Sequence, residues 1–142
     1  MALQFNPFLL GSTGIIAGLR NGSAVFSNTT QYLRIYPSTV PFPSSPIESV
    51  AGLPAGYILT YTGLTFTTSG TSMIISSGTT SANTTAAGTL SWFAVSHQYS
   101  ETSHTFISDS IGLSGSGQIL TVTTLTPGSG ASVGISFVLS IL

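Results

Sequence analysis

Gly88-Thr89-Leu90-Ser91-Trp92-Phe93-Ala94-Val95-Ser96 holds the chain's single tryptophan and is apolar on both alternating faces. By simple alternation Leu90, Trp92 and Ala94 point one way, and Phe93 and Val95 the other. The run is short, aromatic and bounded by Gly88 and Ser96, which favours a strand over a buried helix. A strand loaded on both sides belongs inside a sheet system with cover above and below it. The last apolar face of the chain, Val133, Ile135 and Phe137, is the expected partner for Trp92.

Outward from that strand the chain reads as strands and turns. Gln31 to Tyr36 alternates, with Leu33 and Ile35 on one face and Tyr32, Arg34 and Tyr36 on the other. Pro37, Pro41, Pro43, Pro46 and Pro54 exclude regular structure through residues 37–54, apart from a possible helical turn at Ile47-Glu48-Ser49-Val50. A loop of that length is uncommon and often functional or interfacial. Tyr57 to Phe66 reads as a strand with a bulge at Gly63, and Thr71 to Ser76 as a short one. Residues 76–87 are small, polar and turn-rich, which reads as a surface loop. His104 to Ser108 pairs back on the Trp92 strand through a hairpin near Ser100-Glu101-Thr102. A Gly-Ser turn at 112–117 leads to a strand over Gln118 to Leu125, with Leu120 and Val122 on one face. In the final strand Val133, Ile135, Phe137, Leu139 and Ile141 share a face, and Val138 on the opposite face suggests cover there too.

About eight strands with regular turn signals predict an all-β fold, an antiparallel β-sandwich of jelly-roll-like type. We divide the chain into an extended N-terminal arm, residues 1–22, and a single sandwich domain, residues 23–142. The arm is either an edge closing its own domain or a clip that docks on a neighbour. Asn21-Gly22 is a type I′ turn signal and suggests a small hairpin over Leu19 to Phe26. The start of the chain lacks a basic region and is broken by Asn6-Pro7, Gly11, Gly14 and Gly18. It is a poor signal peptide and too short and broken for a membrane span.

Composition narrows function further. At 142 residues the chain is long enough for one packed domain, and 42% of it is hydrophobic. Only 4% is charged, against roughly 25% in ordinary soluble domains. The ionic inventory is Arg20, Arg34, Glu48, Glu101 and Asp109, while 24 serines and 21 threonines supply the polarity. Two arginines and a net charge of −1 cannot neutralise a phosphate backbone, so nucleic acid is excluded as a partner. The absence of cysteine removes disulfides and thiolate metal sites. A surface so poor in charge favours self-association, and we expect a homo-oligomer, a trimer or dimer, insensitive to salt.

No chemistry announces itself. His97 and His104 face each other if the hairpin forms, with Glu101 at its tip, but the spacing matches no zinc motif. Ser114 and Ser116 do not satisfy G-x-S-x-G, and the Gly-rich turn lacks a phosphate-loop lysine. Glu48, Glu101 and Asp109 show no sign of forming a carboxylate pair. The sequons at Asn21, Asn28 and Asn83 are expected by chance in so Ser/Thr-rich a chain. Tyr32, Tyr36, Tyr57, Tyr61 and Tyr99 either line a carbohydrate surface or fill sheet and interface positions. The residues therefore assign no catalytic, cofactor-binding or metal residue, and we expect a protein that is not an enzyme.

A larger pattern does stand out. Leu33-Arg34-Ile35-Tyr36 is followed by Pro41, and Gly88-Thr89 leads into Trp92-Phe93. Then come Asp109-Ser110-Ile111-Gly112-Leu113-Ser114-Gly115, Leu120, Gly128, Val133 and Ser136-Phe137. In order and approximate spacing over residues 31–142 this resembles small virion structural proteins of tailed bacteriophages, of the decoration or cement type. The resemblance implies a β-sandwich that binds the outside of a capsid or tail without enzymatic activity or cofactor. Its partner would be the major capsid protein or another shell protein, and its location the virion. The alternative is a tail-fibre or receptor-binding module whose tyrosines and loop tips contact host glycan; a carbohydrate-active enzyme ranks last.

Overall fold

The computed structural model describes residues 3–5, 31–44, 50–69, 72–99 and 102–141. The strands there are β1 (Leu3–Phe5), β2 (Gln31–Pro37), β3 (Leu59–Tyr61), β4 (Thr65–Ser69) and β5 (Ser72–Asn83). They continue with β6 (Leu90–Tyr99), β7 (Thr102–Ser108), β8 (Ile111–Leu113), β9 (Leu120–Val122) and β10 (Ser132–Ile141). Sheet A has the order β1-β7-β6-β2-β3 and sheet B the order β4-β5-β10-β9-β8. The protein is an all-β sandwich, with ten strands among the described residues where about eight were expected.

The two sheets meet through alternate residues. Leu33, Ile35, Leu59, Phe93 and Val95 of sheet A pack on Ile75, Leu120, Val122, Val133, Ile135, Phe137 and Leu139 of sheet B. Phe93 and Phe137 meet edge to face across the interior, centroids 5.6 Å apart and planes at 83°, a favoured aromatic geometry.

Two bulges decide which residues reach that interior. In β6, Trp92 pairs with Tyr36 and Leu90 with Pro37, so Ser91 is the extra residue. Leu90 is thereby turned to the inner face beside Phe93 and Val95, not to the face of Trp92 as plain alternation predicted. In β5 the extra residue is Ser77, between Gly78 opposite Phe137 and Ser76 opposite Val138. Ser77 Oγ accepts the Phe137 N–H at 2.8 Å in place of a ladder carbonyl. Gly78 takes φ +62° there, a conformation open to glycine.

Several boundaries differ from the sequence reading. The expected strand Tyr57 to Phe66 is two strands, because the chain crosses from sheet A to sheet B between Tyr61 and Thr65. The small polar run 76–87 is not all loop: β5 continues to Asn83, paired with β10 along its length. Backbone pairing needs no large side chain, and β10 supplies the apolar bulk. Gly112 and Leu113, read as the start of a Gly-Ser turn over 112–117, belong instead to strand β8, which runs parallel to β9, so the sandwich is antiparallel elsewhere among the described residues but not at this edge. Parallel neighbours ordinarily need a long crossover. Here three-residue strands require a return of only about 7 Å, and Gly115 and Gly117, at φ +86° and +79°, make the tight turn.

The arm divides as well. Leu3–Phe5 pairs antiparallel with β7 and forms an edge of sheet A, so this part of residues 1–22 closes its own domain. The hairpin suggested over Leu19 to Phe26 lies outside the described residues.

Candidate functional site on the outer face of sheet A

Part of the face of sheet A turned away from sheet B lies under Val40, Phe42 and Leu53 of the proline-rich loop. Trp92, Tyr36, Ala94 and Ile107 form a second buried cluster, with Val40, Phe42 and Leu53 packed over it. Trp92 is fully buried, but it packs under this loop and not on Val133, Ile135 and Phe137; its neighbour Phe93 takes that place. Both residues are large and apolar, and alternation alone does not say which parity faces the second sheet.

The cluster is held by directional contacts. Tyr36 and Trp92 stack with planes at 2° and centroids 3.9 Å apart, and Phe42 meets Trp92 edge-on at 5.7 Å. Trp92 Nε1–H donates to the Val40 carbonyl at 2.8 Å, and the Tyr36 hydroxyl donates to the Pro54 carbonyl at 2.8 Å. Both ends of the loop are thus pinned by polar tips of buried aromatics. Gly56 has φ +97°, and a Cβ there would lie 2.9 Å from Val40 Cγ2, so the loop's return path requires glycine.

Burial pushes the Tyr36 hydroxyl up to about 12; the Arg34 charge pulls against this, and Tyr57 adds to it. The unfolded phenol titrates near 10, so between pH 10 and 12 the unfolded chain loses a proton that the folded chain keeps. Stability from this group is complete below pH 10 and falls as pH rises through 12, by roughly 2–3 kcal/mol. Urea unfolding at pH 8 and at stepped pH values up to 12 checks this. Tyr36→Phe should flatten the dependence, and an unchanged slope in that variant would refute the assignment.

Beyond the loop the same face becomes polar. Arg34 lies between Thr60 on β3 and Ala94 on β6, and Tyr32 lies opposite Ser96. The Arg34 guanidinium carbon is 4.8 Å from the Tyr57 ring centroid and 5.2 Å from that of Tyr32, within cation–π range. Tyr57 also meets Tyr36 edge-on at 6.0 Å. Arg34 Nε, Thr60 Oγ1 and Ser96 Oγ are buried without a hydrogen-bond partner. Sequence reasoning noted the tyrosines but did not single out Arg34. The signal was Tyr32-x-Arg34-x-Tyr36, which sets a cation among aromatics on one face of a strand.

The other sites considered from sequence are scattered. β6 and β7 form the expected hairpin, and its register sets His97 opposite His104; their side chains and all of Glu101 and Glu48 lie outside what is described. Ser114 and Ser116 lie on the β8–β9 turn, where Ser114 Oγ donates to the Val122 carbonyl at 3.4 Å. Asp109 is exposed just before β8. Among the described residues no group of three or more His, Cys, Asp or Glu is placed to hold a metal ion. None of their helices is long and apolar enough to cross a membrane. Compared with known proteins, the chain matches no family model, no curated protein and no solved structure.

Proposed function

We propose that this is a non-enzymatic virion structural protein of a tailed bacteriophage, a capsid decoration or cement protein that reinforces the shell through subunit contacts. The observation that carries the reading is the kind of surface this sandwich presents. Ionic residues are nearly absent from the chain, while Ile74, Leu113 and Val138 stand exposed on it. On sheet B, Val138 lies opposite Ser76 and Ile74 opposite Ser140, which makes the two apolar residues diagonal neighbours amid hydroxyls. Such a face suits close, crowded contacts made by burial and hydrogen bonding. Each junction with a shell protein would add buried area that favours the closed particle. The resemblance supplies the identity of the particle, and its residues include Leu33 to Tyr36 on β2, Trp92 and Phe93 on β6, and Val133, Ser136 and Phe137 on β10. A closed homo-oligomer, trimer or dimer, fits the local axes of such a shell.

Electron microscopy of phage particles assembled with and without the protein tests the role. The expected result is heads that lose surface knobs and rupture more readily on heating. Intact, equally robust heads with lost host adsorption would overturn the decoration role in favour of a fibre or receptor-binding module.

A further inference from the structure

Arg34 is held between two rings, those of Tyr32 and Tyr57, and has no anionic partner among the described residues. A buried guanidinium nitrogen without an acceptor carries a desolvation cost that a ligand or water can relieve. Thr60 Oγ1 and Ser96 Oγ lie on the same sheet face in the same unpaired condition. Three buried polar atoms without partners therefore occupy adjoining rows of one sheet face, beside the edge of the loop that covers Trp92.

The chemistry of a ligand for this place follows from what surrounds the charge. Restraint by two rings lowers the entropy lost when the guanidinium fork grips a planar anion, and a carboxylate matches that fork. A phosphate or polyanion calls for several cations, whereas this chain has two arginines and a net charge of −1. Hydroxyl-bearing residues on this face that are not fully buried include Thr60, opposite Arg34 in the β2–β3 register, and Tyr57, whose ring lies against the guanidinium. Hydroxyls recognise other hydroxyls by exchanging donor and acceptor roles.

We propose that Arg34, seated between Tyr32 and Tyr57, binds the carboxylate of an acidic sugar, with neighbouring hydroxyls engaging the sugar's own. The site goes beyond the shell-reinforcing role and stands without it: heads can be fully decorated whether or not the sugar binds.

The test follows the arginine Nε–H resonances of the full, uniformly 15N-labelled chain by NMR. With Arg20 and Arg34 the only arginines, Arg34→Lys assigns the two signals. Titration with glucuronate is expected to shift the Arg34 signal saturably. Glucose and a capped glutamate should bind about tenfold more weakly or less, since each lacks one half of the recognition. Tyr57→Leu, a change at a part-exposed ring, should weaken the glucuronate response while leaving Trp92 emission unchanged. Absence of a saturable shift in the unaltered chain overturns the proposal, and so does an equal response to glucose. A response to capped glutamate as strong as that to glucuronate also overturns it, and reassigns the cradle to a protein carboxylate.

Discussion

Replacing Trp92 with alanine is expected to cost about 3–5 kcal/mol of folding stability and to release the proline-rich loop. The side chain is wholly buried. Its loss removes the stack on Tyr36 and the edge contact with Phe42, and strands the Val40 carbonyl that its Nε1–H satisfies. The cavity lies between sheet A and the loop, not between the sheets. Urea unfolding should record the lost stability, and limited proteolysis with subtilisin should find new cleavage within residues 38–54. A loss below about 1 kcal/mol, with the loop still protected, would mean that Trp92 does not anchor it.

Phe137→Ala should be as costly, about 3–5 kcal/mol, by a different route. Phe137 is fully buried at the centre of the sandwich, edge to face with Phe93, and its removal hollows the space between the sheets. The loop contacts of Trp92 and Tyr36 are untouched, so proteolysis of 38–54 under native conditions should stay at the level of the unaltered chain. The two variants together separate the inner core from the outer one. Equal loop cleavage in both would show that the clusters unfold as one unit.

The sequence carried the architecture better than the register. The double-faced loading of Leu90 to Val95 required cover on both sides of β6, and both covers exist. Which cover met which residue was not legible, because Trp92 and Phe93 are both large and apolar. The outer cover was hidden for another reason: Val40, Phe42 and Leu53 are scattered among prolines with no period to mark them as a packed layer. Bulges concealed more. Ser91 and Ser77 each break the two-residue alternation, so Leu90 was assigned the wrong face. In β5 the inward residues change from Ile75 to Thr80 and Ala82 on either side of the bulge, which erases the strand pattern. At the Arg34 site the parts were readable on β2, but Tyr57 comes from beyond a long loop and Thr60 and Ser96 from separate strands. Only pairing brings them to one face.

The placement of β10 has a consequence for how the molecule is made. It lies in the middle of sheet B, yet it follows both of its neighbours in the chain, and it pairs with residues as far upstream as Met73, which stands opposite Ile141. While a ribosome is still producing the residues before Ser132, β5 has only β4 beside it and β9 only β8. Isolated strand pairs are marginal in water, and distant pairings close slowly. Sheet B should therefore form in one late step, after a period in which its strand edges are open. The long β5 edge is rich in serine, threonine and glycine, the β9 edge is only three residues long, and polar or very short edges are poor templates for another chain. The same hydroxyl-rich composition that leaves the finished surface almost uncharged thus protects the nascent chain during that wait.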